Sequence, residues 1–138
     1  RLSSPDKSSS TKLELIKSQF DTSSYQVSGK LESLGLYFVG ADTIKPELKV
    51  LNIREDQIYN SFDTIRFKAK DDQSGIKTDA NIRITVDNQF VLPEWDPERD
   101  LITGNLHWQI EPGEHEVVIE VQDMAGNINM QNFIINVE

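Results

Sequence analysis

From Glu47 onward the apolar residues recur at every second position, segment after segment, and this constrains the chain more than any other feature. Ile65, Phe67 and Ala69 alternate with Arg66, Lys68 and Lys70, and Ile82, Ile84 and Val86 alternate with Arg83, Thr85 and Asp87. The same period returns in Leu106, Trp108 and Ile110, in Val117, Ile119 and Val121, and in Phe133, Ile135 and Val137. Successive side chains of a strand point to opposite faces, so each segment is predicted to be a strand with one wet and one dry face. Turn signals separate them: Asp72-Gln73-Ser74-Gly75, Asp87-Asn88, Pro112-Gly113 and Ala125-Gly126-Asn127. They leave no room for helices, and dry faces need a second sheet to cover them. The expectation is an all-β chain forming a β-sandwich of about seven strands. Leu48, Val50, Leu51 and Ile53 break the alternation, as a first strand would if it bulged or crossed between sheets.

Charge divides the chain. Residues 1–42 carry five basic and five acidic side chains, whereas residues 43–138 carry 9 basic and 18 acidic ones, so the whole net charge of -9 sits in the second part. The texture changes at the same place. The first part is Ser-rich and then offers three short candidate strands, around Leu13–Ile16, Tyr25–Val27 and Leu34–Val39. Three strands in about 40 residues bury too little to stand alone, so residues 1–42 either dock onto the following domain or, the preferred reading, are the end of a preceding β module. Pro46 fixes its own φ and pushes Lys45 toward an extended conformation, which suits a boundary. Residues 43–138 are then the sandwich domain. With Arg1 in place of an initiator methionine, the chain is expected to be a segment of something longer.

Several function classes drop out. The acidic balance repels phosphate backbones, so no nucleic-acid partner is expected. No apolar run approaches the roughly 20 residues of a spanning helix, so no membrane insertion is expected in this segment. Without cysteine there is no disulfide framework, no thiolate zinc site and no cysteine nucleophile. No Gly-x-Ser-x-Gly elbow or phosphate-cradling loop occurs. The carboxylates of Glu94, Asp96, Glu98 and Asp100 are sequence neighbours, whereas glycosidase chemistry needs two carboxyls facing each other across a cleft.

The motifs Asp71-Asp72-Gln73-Ser74-Gly75-Ile76, Ile84 to Leu92, Trp95-Asp96, Glu111 to His115 and Val121-Gln122-Asp123-Met124-Ala125-Gly126-Asn127 together resemble a bacterial immunoglobulin-like module. More narrowly, residues 31–138 are similar to the module at the C-terminus of exported lysostaphin-type (LytM-like) peptidoglycan metallopeptidases of Bacteroidetes. Leu34 to Val39, followed by Asp42-Thr43 and Pro46, is similar to the junction before that module. The resemblance implies an exported chain, in the periplasm or at the cell surface, whose partners are upstream domains of the same polypeptide and possibly cell-wall glycan or a surface protein. It does not carry the peptidase chemistry over. Those enzymes hold zinc through a His followed four residues later by Asp and through a His-x-His pair, and here only His107 and His115 occur, in neither pattern. Both are expected on the solvated surface. The chain is therefore read as a non-catalytic accessory or spacer domain, with a carbohydrate-binding or adhesion module as the alternative.

Two sets of residues remain as candidates. Calcium takes six to eight oxygens, often from interstrand loops, and Asp71, Asp72, Asp123 and Asn127 could supply some of them. The same residues also suit turns, since an Asp side chain caps its own turn and Gly or Asn accepts left-handed backbone. Turn architecture with no metal and no cofactor is the expectation, with calcium as the alternative. Trp95, Phe90 and Tyr59 could form a ligand surface or close one end of the sandwich. Trp108 is expected in the core, and Ile134 and Val118 are the apolar residues on otherwise polar faces.

Overall fold

The computed structural model describes residue 16, residues 18–54 and residues 57–138. The chain divides into two compact units, one ending at Gly40 and the other running Ala41–Glu138. In the first, β1 (Ser18–Asp21) and β2 (Gln26–Gly29) form an antiparallel hairpin in which Phe20 faces Val27. Its turn is held by the Asp21 carboxylate, which accepts the Ser23 N–H at 2.8 Å and the hydroxyls of Ser23 and Ser24 at 2.6 and 2.7 Å. Those donors stabilise the ionised form and hold the carboxyl far below the usual range. The candidate strand at Leu13–Ile16 lies outside the described residues except for Ile16. Leu34–Val39 forms no strand, and its apolar side chains are exposed. A strand needs a hydrogen-bonding neighbour, and the described residues of this unit supply none for it.

The second unit is a β-sandwich. One sheet has the order β3-β5-β9-β8, from β3 (Glu47–Val50), β5 (Thr64–Lys70), β9 (Leu101–Asn105) and β8 (Pro93–Asp96). The other has the order β4-β11-β10-β6-β7, from β4 (Ile58–Tyr59), β11 (Ile128–Val137), β10 (Gly113–Gln122), β6 (Ile82–Val86) and β7 (Gln89–Val91). Pairing is antiparallel except for β4 along β11. Nine strands are present where about seven were expected, because β4, β7 and β8 are only two to four residues long and carry no full period of their own. One 3-10 turn, Asp79–Asn81, leads into β6. The chain does cross between sheets where the alternation breaks: β3 lies in one sheet and β4 in the other.

The dry faces predicted from the period meet in the core. Ile65, Phe67 and Ala69 of β5 pack with Ile82, Ile84 and Val86 of β6 and with Val117, Ile119, Val121, Ile135 and Val137 of β10 and β11. Each fully buried Ile, Val or Phe contributes about 1.5–3 kcal/mol of transfer free energy. Two polar staples tie β11 to the opposite sheet: Asn129 Nδ2 donates to the Pro46 carbonyl at 2.8 Å and Gln131 Nε2 to the Leu48 carbonyl at 3.4 Å.

One predicted strand is displaced. Leu106, Trp108 and Ile110 follow β9 as irregular chain instead of forming a strand, with Ile110 buried and Leu106 and Trp108 half-buried against the core. The strand lies just upstream, where Ile102 and Gly104 face inward. Gly104 is required by close approach: an added Cβ would lie 2.8 Å from Ile84 Cδ1 and 3.0 Å from Val91 Cγ1 on the facing sheet. Gly104→Ala is therefore expected to cost about 1–3 kcal/mol in urea denaturation. Removing the Ile84 Cδ1 by Ile84→Val should relieve part of the clash, so the double variant is expected to lose less than the two single losses added together.

Candidate functional site

Two turn motifs and the entry segment converge at one end of the sandwich. Between β5 and the 3-10 turn, Asp71 Oδ1 accepts the N–H groups of Gln73 at 3.1 Å and Gly75 at 2.6 Å. Gly75 has φ +78°, a conformation that favours glycine. Between β10 and β11, Asp123 accepts from Asn127 twice, its Oδ1 from the backbone N–H and its Oδ2 from Nδ2, both at 2.8 Å. Gly126, with φ +96°, completes that turn. The two loops are joined directly by the Met124 N–H, which donates to the Gly75 carbonyl at 2.9 Å.

Asp42 brings in the entry segment. Its Oδ1 accepts the Ile44 N–H at 2.9 Å and its Oδ2 the Ser74 N–H at 3.0 Å. Asn127 Nδ2 also reaches the carbonyls of Asp42 and Ile44 at 3.2 and 3.3 Å. These bonds place Asp42 in the sandwich unit, not in the preceding segment where the sequence reading put it. The Ser74 hydroxyl beside Asp42, together with the Ile44 N–H, holds that carboxyl below the usual range. Carboxylate oxygens of Asp42, Asp71 and Asp123 all lie within 4.8 Å of one another, with Asp123 only 2% exposed. Among the described residues this is the group of acids close enough together to hold a metal ion.

The sequence candidates therefore separate. Asp71, Asp123 and Asn127 belong to this cluster, whereas the exposed carboxylate of Asp72 pairs with Lys70 Nζ at 2.7 Å. The contributions of Asp42 and Ser74 were missed. An Asp two residues before Ile44 reads as an ordinary turn former, and nothing in sequence says which loop its second oxygen serves.

Trp95, Phe90 and Tyr59 do not form one surface. Tyr59, on β4, packs edge-on against Phe62 with ring centroids 5.2 Å apart, and its hydroxyl donates to the Asn52 carbonyl at 3.2 Å. Phe90 is exposed on β7, at the far edge of the same sheet. Trp95 belongs to the other sheet and packs against the core, with its Nε1 enclosed. The three aromatics serve different edges and layers.

His107 is exposed, as expected, but His115 is not on the solvated surface: its side chain is only 14% exposed. Asp87 and Asn88, at φ 48° and 64°, form the two-residue hairpin turn between β6 and β7. From that turn Asp87 Oδ1 accepts the Glu116 N–H at 2.9 Å, and its Oδ2 lies 2.6 Å from His115 Nδ1. His115 Nε2 meets the Glu111 carbonyl at 2.7 Å. Both ring nitrogens face acceptors, so the geometry is that of the imidazolium, and the Asp87 carboxylate raises the His115 pKa. The imidazolium in turn holds the Asp87 carboxyl below its ordinary value.

A raised His contributes its full stabilisation below the unfolded value of 6.5 and loses it as pH rises through the folded value. A depressed Asp contributes above 3.8 and loses as pH falls through its own folded value. The pair therefore stabilises most between those limits. Stability measured by urea denaturation is expected to decline as pH is raised above 6.5, and His115→Gln should flatten that decline. The effect should stay below about 1 kcal/mol, because the Asp87 carboxylate is 52% exposed and screened by solvent.

No protein-family model and no curated protein matches the chain. Among solved structures the chain is similar to CopC from Methylosinus trichosporium OB3b, with 14% identity and a TM-score of 0.50 over 67% of this chain and 94% of that one. At that identity the likeness speaks for the fold, which is an all-β, immunoglobulin-like β-sandwich.

Proposed function

We propose that this chain is a non-catalytic accessory or spacer domain of an exported cell-envelope protein, joined to upstream domains of a peptidoglycan metallopeptidase-like polypeptide. The observation that carries the reading is the fixed entry into the sandwich. Asp42 and Asn127 pin the segment leading into β3 onto two interstrand loops, so the direction in which the chain enters the domain is set by hydrogen bonds. Such an entry suits a module whose work is to hold a neighbouring domain in place. The motif resemblance set out above supports the peptidase context, and the separation of Trp95, Phe90 and Tyr59 speaks against a stacked-sugar surface. Among the described residues no helix is long and apolar enough to cross a membrane. A depression of about 170 Å³ over the β3–β5 face is lined by Glu47, Lys49, Lys68, Lys70 and Asp100, a set without histidine or serine.

One observation favours adhesion as a second reading. Ile128, Met130 and Ile134 are exposed on the outward face of β11, with Asn132 between the last two. A protein partner would cover such exposed apolar side chains.

With the 138-residue chain and added zinc, peptidoglycan sacculi should release no soluble fragments, and Trp95→Ala should leave sacculus pull-down unchanged. Fragment release would overturn the non-catalytic reading. Loss of pull-down on Trp95→Ala would favour the glycan-binding alternative, and loss on Met130→Lys with Ile134→Lys would favour adhesion. Sequence upstream of Arg1 bearing a His-x-x-x-Asp and a His-x-His pair would support the peptidase context, and a tandem of β modules there would oppose it.

A further inference from the structure

We propose that copies of this chain stack face to face, the acidic outer column of β10 on one copy docking on the basic outer column of β5 on the next. The inference does not depend on the spacer reading.

The alternation that builds the core also sorts the outward side chains. Ile65, Phe67 and Ala69 point inward from β5, so Arg66, Lys68 and Lys70 project from the outer face of that sheet. Lys49 of β3 lies directly across from Lys68. Four of the nine basic residues of 43–138 therefore share one face of a domain whose balance is acidic. On the other sheet Val117, Ile119 and Val121 point inward, so β10 projects Glu114, Glu116, Val118 and Glu120. Both β5 and β10 are interior strands, so each column runs down the middle of its sheet.

Neither column is neutralised within one copy. Like charges directly opposite on a sheet are destabilising, and Lys49 and Lys68 are such a pair. Among the described residues the ion pairs are Lys70 with Asp72, Arg99 with Asp96, and His115 with Asp87. Lys49, Arg66, Lys68, Glu114, Glu116 and Glu120 are outside that set. A partner of opposite sign would relieve each column, and this chain carries both signs.

The columns also match in spacing. Outward residues recur about every 6.6–6.8 Å along a strand, so Glu114 and Glu116 are spaced as Arg66 and Lys68 are. The flanking residues fit as well. Ile134 and Met130 of β11 lie across from Glu116 and Glu120, while Leu101 and Thr103 of β9 lie across from Lys68 and Arg66. Laying β10 over β5 with β11 over β9 covers the exposed Ile134 and Met130 with Leu101 and Thr103. The net charge of -9 opposes approach, but at about 0.1 M salt the screening length is about 10 Å, which damps whole-chain repulsion while charges in contact still act. The contact is heterologous: each copy keeps one free face of each sign, so the association is open-ended.

The test uses the 138-residue chain in sedimentation equilibrium. At about 0.1 M sodium chloride the average mass should rise over roughly 10⁻⁴–10⁻³ M protein without stopping at two copies, and at about 1 M the rise should disappear. Glu116→Lys with Glu120→Lys, and separately Arg66→Glu with Lys68→Glu, should each weaken association at least about tenfold by setting like charges face to face. Mixing these two double variants should restore it, because each presents the face that the other requires. Both remain net negative, so bulk attraction does not produce that rescue. Glu98→Lys with Asp63→Lys, an equal charge change in exposed loops, should leave association unchanged. A one-copy mass throughout overturns the proposal, as does a plateau at two copies, which would assign the β11 face to a symmetric dimer. Failure of the mixture to associate also overturns it. Should a double variant not fold, Glu116→Lys and Lys68→Glu are mixed instead, and the same absence of rescue decides against it.

Discussion

Everything else in the sandwich hangs on the dry interface between its two sheets. Ile65, Phe67 and Ile102 on one side meet Ile84, Val117 and Ile119 on the other, and each is almost wholly removed from water. Protein interiors pack like organic crystals, so this interface tolerates neither a gap nor an added atom without loss. Gly104 marks the tightest point. A side chain there would enter space already filled by Ile84 and Val91. Because the sheets are fixed at that distance, the loops joining their strands are fixed at the ends.

The polar chemistry gathers where those loops end. Backbone N–H groups left over at strand termini must find acceptors, and Asp42, Asp71 and Asp123 supply them. The price is three carboxylates in one small volume. At the opposite end of β10, the Asp87 turn solves the same problem with a single carboxylate, and there His115, whose pKa that carboxylate raises, lies beside it. The contrast between the two ends is chemical: one acid has a basic side chain beside it, and three acids have none among the described residues.

The strands were legible at β5, β6 and β10, whose apolar inward residues recur at every second place over five positions. Ile65, Phe67, Ala69, Val117, Ile119 and Val121 fall in the predicted register. The reading failed at Leu101–Asn105, because one of its two inward positions is Gly104, which carries no hydrophobic signal. It was then drawn to Leu106, Trp108 and Ile110, whose alternation is real but whose backbone bends over the end of the core. Leu34–Val39 shows the same limit from the other side: strand-forming side chains do not make a strand without a ladder to join. His115 was read as solvated because it follows a Pro-Gly turn, yet its partners come from Asp87, 28 residues away, and from Glu111.

By itself the sequence determined the fold class, because a period of two repeated along the chain has few solutions other than two sheets packed face to face. It also determined which loops turn sharply, since Asp, Asn and Gly at those positions act on their own backbone over two to four residues. Tertiary structure alone decided which acids meet. Asp42 and Asn127 are 85 residues apart in the chain, and Asp72 lies one residue from Asp71 yet points to Lys70. Local spacing governs hydrogen bonds within a turn, whereas the convergence of separate turns depends on strand register and sheet packing, which only the folded core fixes.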